Sequence, residues 1–414
     1  MRLAPGRRAA AAHAGTLVLG AVALLYMGRG FWFHYDEWDI VGNHSLGLFE
    51  PHSEHWSTLP YLAYRGLYPV FGLRQYLPYL AIVVALHLGV VHLAWRVLRQ
   101  QGVNGWISVT LAAAFLALGA GAENLVWAWQ MGFVGSVFFG YAACLLVTTG
   151  TPGRRRDVFG ALALLAAMMC SGIGLVMTLV AGVAAALRRG PAAAAAVVLP
   201  AVIAFGAWYA AYGHRASGQA YARPSVTGSL QFAWVGLTAT AERASGLRWL
   251  GPLLVVAALA WAASRLRAAP SREPLAIAGV VGALGLFTLI SAGRLQFGVE
   301  SARQGRYVYV AAALLLPVTG LALQWLAGRR TIGRAAAALL VGWALVHGAG
   351  NLVLAESQHR AVSASTRALV LAAAARLDEG QHFDPSARPD PVAAPTLTLA
   401  RIAGFKREGA LPPS

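Results

Sequence analysis

Between Phe31 and His55 stand Asp36, Glu37, Asp39, Glu50 and Glu54, together with His34, His44, His52 and His55. These are five of the 16 acids and four of the 11 histidines in a chain of 414 residues that is 58% hydrophobic. A carboxylate in such a cluster can take a proton from a hydroxyl, and carboxylate with imidazole can ligate a divalent metal. Charged groups beside lipid are costly, so a cluster at the end of an apolar run is either a solvated loop or a site. Its density favours a site.

The rest of the sequence defines what must position these groups. A mean hydropathy of +0.58 and recurring apolar runs predict an all-α, polytopic transmembrane helical bundle of about 11 spans. The net charge of +17 does not point to nucleic acid as a partner. Its arginines gather in short connections between apolar runs, as the positive-inside rule expects. Cys144 and Cys170 fall inside apolar segments, so no disulfide framework is expected.

Arg2, Arg7 and Arg8 precede the first apolar run, which ends near Met27 without a small-residue cleavage site. A retained first helix with a cytoplasmic N-terminus is expected, placing the acidic loop at the outer face of the plasma membrane. That loop covers 31–75. Ser57 or Thr58 can cap a helix over 57–72 with Pro60 in its first turn, and Tyr61, Tyr64 and Tyr68 recur at helical spacing. It reads as an interfacial helix. Spans over 76–95 and 106–121 follow, and His87 and His92 in the first read as hydrogen bonds to neighbouring helices. A short outer turn puts Glu123 on the side of the acidic loop.

The 30 residues of 158–187 are flanked by Arg154-Arg155-Arg156 and Arg188-Arg189 and interrupted by Ser171-Gly172-Ile173-Gly174. They are too few for two full spans, so two short helices are expected, their turn lining a water-filled cavity beneath the acidic loop. After a span over 191–212, an outer loop holds His214, Arg215, Tyr221 and Arg223, and 230–249 reads as partly interfacial. A later outer loop carries Arg294, Glu300, Arg303 and Arg306. The membrane domain is expected to cover 1–354. Residues 355–414 then form an outer tail with one helix, 361–378, and a Pro/Ala-rich, partly disordered stretch.

This order of parts resembles the GT-C superfamily of membrane glycosyltransferases. Over about 15–330, a first span leads straight into an outer loop bearing an acidic pair, Asp36-Glu37. An interfacial helix and paired short spans follow, and an arginine-bearing outer loop enters a later span through Arg306-Tyr307-Val308. The resemblance implies a GT-C-like fold with an extracytoplasmic active site in a setting of membrane lipids. It also implies a polyprenyl-phosphate-linked sugar as donor and a cell-envelope glycan, lipid or protein as acceptor.

For such a transfer the acceptor hydroxyl needs a base. Asp36 is the first candidate because it is nearest the first span, with Glu37 beside it as the second catalytic acid. Asp39 is placed to orient the acceptor, and Glu54, His55, Trp56 and Glu123 are further substrate-binding candidates. Arg294, Arg303 and Arg306 can meet the charge on a departing phosphate. Trp32, Trp38 and Trp56 can stack on sugar faces or anchor the interface. A competing reading centres on a divalent metal held by Asp36, His52 and His55, as in a hydrolase of lipid-linked substrates. The spacing is not the His-Glu-x-x-His pattern. A transporter or scaffold is the third class, and the surface position of the acids speaks against it.

Overall fold

The computed structural model describes residues 5–218, 225–377 and 384–413. Arg2, Tyr221 and Arg223 lie outside the described residues. In lipid a backbone can satisfy its hydrogen bonds only within itself, and the apolar runs accordingly form helices. Eight helices among the described residues are long and apolar enough to cross a membrane. The chain is built as a multi-pass, all-α membrane protein.

In order, the helices are α1 (Pro5–Met27), α2 (Glu37–Ile40), α3 (Thr58–Phe71), α4 (Leu77–Gln100), α5 (Gly105–Leu116) and α6 (Glu123–Val126). Next come α7 (Met131–Thr148), α8 (Arg154–Cys170), α9 (Ile173–Arg189), α10 (Pro191–Ala211) and α11 (Val226–Ser245). The last are α12 (Gly251–Ala268), α13 (Pro274–Arg294), α14 (Gly305–Ala327), α15 (Arg330–Arg376) and α16 (Leu399–Arg407). A small hairpin pairs β1 (Pro51–His52) with β2 (His55–Trp56).

Connections gather at two ends of the bundle. At the basic end the Asn104 N–H donates to Gln324 Oε1 (2.6 Å), Gln100 donates to the Thr148 carbonyl (3.1 Å), and Arg188 reaches the Ser271 carbonyl. The acid-rich end collects 28–57, 117–130, 171–172 and 291–304. Between the ends, His87 hydrogen-bonds the Tyr309 hydroxyl (2.9 Å) and the Leu116 carbonyl (3.2 Å), joining three helices as a buried polar residue should. His92 meets His13 at 3.3 Å. Both cysteines are free and buried.

Several details depart from the sequence expectations. α3 forms where predicted, but Tyr61, Tyr64 and Tyr68 face inward rather than toward lipid, leaving Leu62 and Val70 outside. The tyrosine rings pack on Tyr79, Trp129 and Phe405, which satisfy an aromatic face better than headgroups do. Ser57 precedes α3 without a side-chain cap bond, and the Thr58 hydroxyl donates instead to the Leu48 carbonyl (2.7 Å). α5 ends at Leu116, short of the expected 121. Beyond it the backbone runs hard against α15: a Cβ on Gly119 would lie 2.2 Å from the Gly348 carbonyl oxygen. The irregular 117–130 stretch that results feeds Glu123 with Asn124, Trp127, Trp129 and Gln130 into the acid-rich end.

The paired helices α8 and α9 have 17 residues each, about 25 Å at 1.5 Å per residue and short of a full crossing. Their turn does not line open water. Ser171 is 2% exposed and its hydroxyl meets that of Ser136 (3.0 Å), while the β hairpin sits on Gly172. α11 crosses the acid-rich end, with Ser229 on Ser291 (2.9 Å) near its start and Arg243 on the Arg303 carbonyl near its finish.

The tail is the largest departure. α15 runs unbroken for 47 residues through the expected boundary at 354. Described residues 384–413 then pack back on the first loop. Arg401 donates to the Trp38 and Val41 carbonyls, the Leu73 N–H donates to the Ala410 carbonyl (2.8 Å), and Phe405 is buried beside Trp38 and Tyr68. Ala394, Leu397 and Ile402 have no exposed surface. The segment lacks long helices but belongs to the core.

Candidate active site

Two adjacent acids part company at α2. Tyr35 sits in the left-handed region (φ 49°) and its N–H donates to the Ala393 carbonyl (2.8 Å), which turns the chain into a single helical turn. Consecutive residues on a helix point about 100° apart. Asp36 faces outward, and Glu37 faces the core at 0% exposure. Glu37 Oε1 accepts from the Tyr64 hydroxyl, the Tyr76 hydroxyl lies 3.1 and 3.2 Å from its two oxygens, and the His34 N–H donates to Oε2 (2.8 Å). Burial pushes its pKa up to about 8, and the tyrosine and backbone donors pull it part of the way back. Expected as a catalytic acid, Glu37 is closed off from any substrate and anchors the loop.

Asp36 lies on the open edge. Its Oδ2 is 3.6 Å from His52 Nε2, and the His52 and Trp129 rings meet edge to face at 4.8 Å. The hairpin pairs His52 directly with His55, turning through Ser53 (φ 51°). His55 Nδ1 accepts the Gly172 N–H (3.3 Å), so the neutral ring carries its proton on Nε2, 4.0 Å from Glu54 Oε1. Burial lowers the His55 pKa to about 4, with the nearby Glu54 opposing, which keeps the ring neutral. Glu54 Oε1 in turn accepts from Arg294 Nη2 (2.6 Å).

Arg306 stands beside this group. Its Nη1 is 3.4 Å from Glu123 Oε1, and Glu123 Oε2 accepts the Arg306 N–H (3.1 Å) at the start of α14. A carboxylate there satisfies an otherwise unpaired helix N–H and suits the helix dipole. The Asn124 amide closes the same joint on the Arg306 carbonyl (3.1 Å). His55 lies in the field of both Arg294 and Arg306. The hairpin thus joins Asp36 and His52 on one side to Glu54, His55, Arg294, Arg306 and Glu123 on the other.

Other candidates lie elsewhere. Arg303 pairs with Glu300 (2.5 Å) and Glu242 (3.7 Å) in a neighbouring pocket. Asp39 lies near Arg401 and Tyr61 rather than at the hairpin. Trp56 is buried and stacks on Trp208 at 5.1 Å with the rings 1° from parallel. Trp32 and Trp38 are buried as well, so none of the three offers a face to a sugar. The proposed metal ligands Asp36, His52 and His55 do not converge. Among the described residues no three His, Cys, Asp or Glu side chains gather as a metal site would need.

Tyr64, Tyr76, Trp129 and Asn124 were not singled out as site residues by sequence reasoning. The tyrosine spacing and the Trp-rich 123–130 stretch were the available signals. Arg401 gave none, since only folding brings it beside residue 38. No family profile, curated protein or solved structure matches the chain.

Proposed function

We propose that the chain is a GT-C-type membrane glycosyltransferase, moving a sugar from a polyprenyl-phosphate donor to an acceptor hydroxyl outside the plasma membrane. The observation that carries this reading is the hairpin-bridged band, in which Asp36–His52 is joined to carboxylate-tethered Arg294 and Arg306 at the acid-rich end. In this reading eleven helices make up the membrane bundle: α1, α4, α7, α10, α12, α13, α14 and α15 as full crossings, and α5, α8 and α9 as short spans. The basic end is cytoplasmic, by the positive-inside rule. α3 and α11 lie at the outer interface, and the acceptor is a cell-envelope glycan, lipid or protein.

Asp36 takes the acceptor's hydroxyl proton as that oxygen bonds the anomeric carbon. The bond from this carbon to the donor phosphate oxygen breaks, and the electron pair leaves with the lipid phosphate. Arg294 and Arg306 meet the developing charge. Glu54 and Glu123 hold these side chains in position beforehand, and Arg306 Nη2 also donates to Gln304 Oε1 (2.7 Å). His52 orients the base.

The test uses radiolabelled polyprenyl-phosphate sugars and membranes lacking the native protein. Asp36→Asn keeps shape and removes basicity, so transfer falls roughly 10²–10⁴-fold. A chelator leaves the wild-type rate unchanged. Transfer by Asp36→Asn at the wild-type rate, with Glu54→Gln inactive, moves the chemistry to the histidines. Release of free sugar without acceptor identifies a hydrolase instead.

A further inference from the structure

A polar cavity of about 540 Å³ opens at the acid-rich end where α11 finishes, α15 passes and the Gly119–Gly121 turn begins. Arg243, Arg248 and Arg303 line it with a single lining carboxylate, Glu242, and Arg303 is held from outside the lining by Glu300 (2.5 Å). Glu242 is shared with Arg303 at 3.7 Å, and Arg243 donates to the Arg303 carbonyl. Among the described residues Arg248 has neither an ion-pair nor a hydrogen-bond partner. On the α15 wall the Asn351 amide meets His347 (3.0 Å), presenting further polar groups to the cavity. Three guanidinium groups around one space fit a phosphate.

The flanks of the cavity are apolar. Gly246, where α11 ends in a left-handed turn, sits against Trp343 and His347 of α15, and Gly251, which starts α12, sits against Glu242. Beside these contacts Trp249 (78% exposed), Leu253, Trp343 and Val346 turn outward, and Leu354 lines the cavity itself. A tryptophan on each flank beside a cationic pocket is the composition that a headgroup-level site needs.

We propose that this cavity binds the phosphate headgroup of a membrane lipid, whose hydrocarbon chain lies along the exposed apolar flanks of α12 and α15. The site is distinct from the Asp36 band and does not rest on the glycosyl-transfer reading. Phosphate-bearing lipid has two sources: the bulk phospholipid and a polyprenyl phosphate.

Delipidated full-length protein, examined by native mass spectrometry, separates the two. It is titrated in turn with phosphatidylglycerol, polyprenyl monophosphate, unphosphorylated polyprenol and inorganic phosphate. Both phosphate lipids are expected to bind. Tighter polyprenyl phosphate identifies the isoprenoid carrier as occupant, and equal binding identifies the bulk lipid. Arg248→Gln weakens binding about fivefold, and Arg248→Gln with Arg303→Gln roughly 25-fold, at the ~1 kcal/mol per arginine typical of charges near an anionic surface. Thermal unfolding checks that both variants fold, and Arg248→Gln, exposed and unpaired, keeps the test available if the double variant does not. Polyprenol binding as tightly as its phosphate, or unchanged binding in Arg248→Gln, overturns the proposal. So does tight binding of inorganic phosphate alone, since the site would then need no lipid. Loss of transfer in Asp36→Asn with lipid binding intact leaves this site standing by itself.

Discussion

The tyrosine cage around Glu37 and the open edge at Asp36 belong to the same loop and use the same chemistry for opposite ends. Within the cage, three donors converge on one carboxyl group that has no exposed surface. On the edge, Asp36 has one histidine at 3.6 Å and Glu54 shares a single arginine contact at 2.6 Å. A saturated polar group fixes a structure, and an unsaturated one is left able to exchange partners. Damage to the cage should therefore read out as lost fold, and damage to the edge as lost activity.

The hardest test of that division is Glu37→Ala. It leaves the Tyr64 and Tyr76 hydroxyls and the His34 N–H without their acceptor, each at about 1–3 kcal/mol. The expected result is little monodisperse protein after detergent extraction. A normal yield and unfolding temperature would remove the cage from the account. Glu37→Gln is the milder probe, because it keeps the shape and cannot ionise. Folded Glu37 holds its proton up to about pH 8, whereas an unfolded glutamate loses it near 4.5. In that window the folded state binds more protons, so stability falls as pH rises, by at most roughly 1.4 kcal/mol per unit, and levels off above pH 8. Thermal unfolding from pH 5 to 9 should show this slope in the wild type and a flatter profile in the Gln variant.

Edge variants should leave those unfolding curves in place. Arg294→Gln is expected to lower transfer about tenfold, the loss of one charge-assisted contact to phosphate, with an unchanged unfolding midpoint. A midpoint drop matching the activity loss would make Arg294 part of the scaffold. The smallest effect is a rate of labelling. Ser171→Cys, in a chain without Cys144 and Cys170, should react slowly with an impermeant thiol reagent because the hairpin covers the turn. Opening the hairpin with Ser53→Pro should speed it. Rapid labelling of Ser171→Cys alone would restore an open cavity there.

Much of the architecture was legible in the sequence because lipid leaves few choices: apolar runs became helices, and basic connections gathered at one end. The short α8–α9 pair was readable from arithmetic on residues 158–187. The fate of neighbouring acids was not. Asp36 and Glu37 differ by one step on a single turn, and what decides their directions is Tyr64 and Tyr76, many residues away. The end of α5 was misplaced because Gly119 meets Gly348, a packing fact with no local signature. The tail was misread for the same reason. Its alanines and prolines look unstructured, yet Ala393 and Ala410 accept the Tyr35 and Leu73 N–H groups and Phe405 packs on Trp38 and Tyr68.

That cover has a consequence for how the protein is made. Arg401 lies 363 residues after Trp38, and Glu408 lies 340 after Tyr68. In the orientation proposed above, the first loop waits on the far side of the membrane during synthesis while the later helices are inserted. Only when residues 384–413 have been translated and delivered to the same side can Arg401 and Phe405 close on it. A nascent chain stalled between residues 306 and 384 carries Asp36, its histidines and both arginines, yet leaves Trp38 and Tyr68 without Phe405. Assembly of this loop is thereby tied to the arrival of residues 384–413, and shorter fragments should persist as inserted helices with an unfinished first loop.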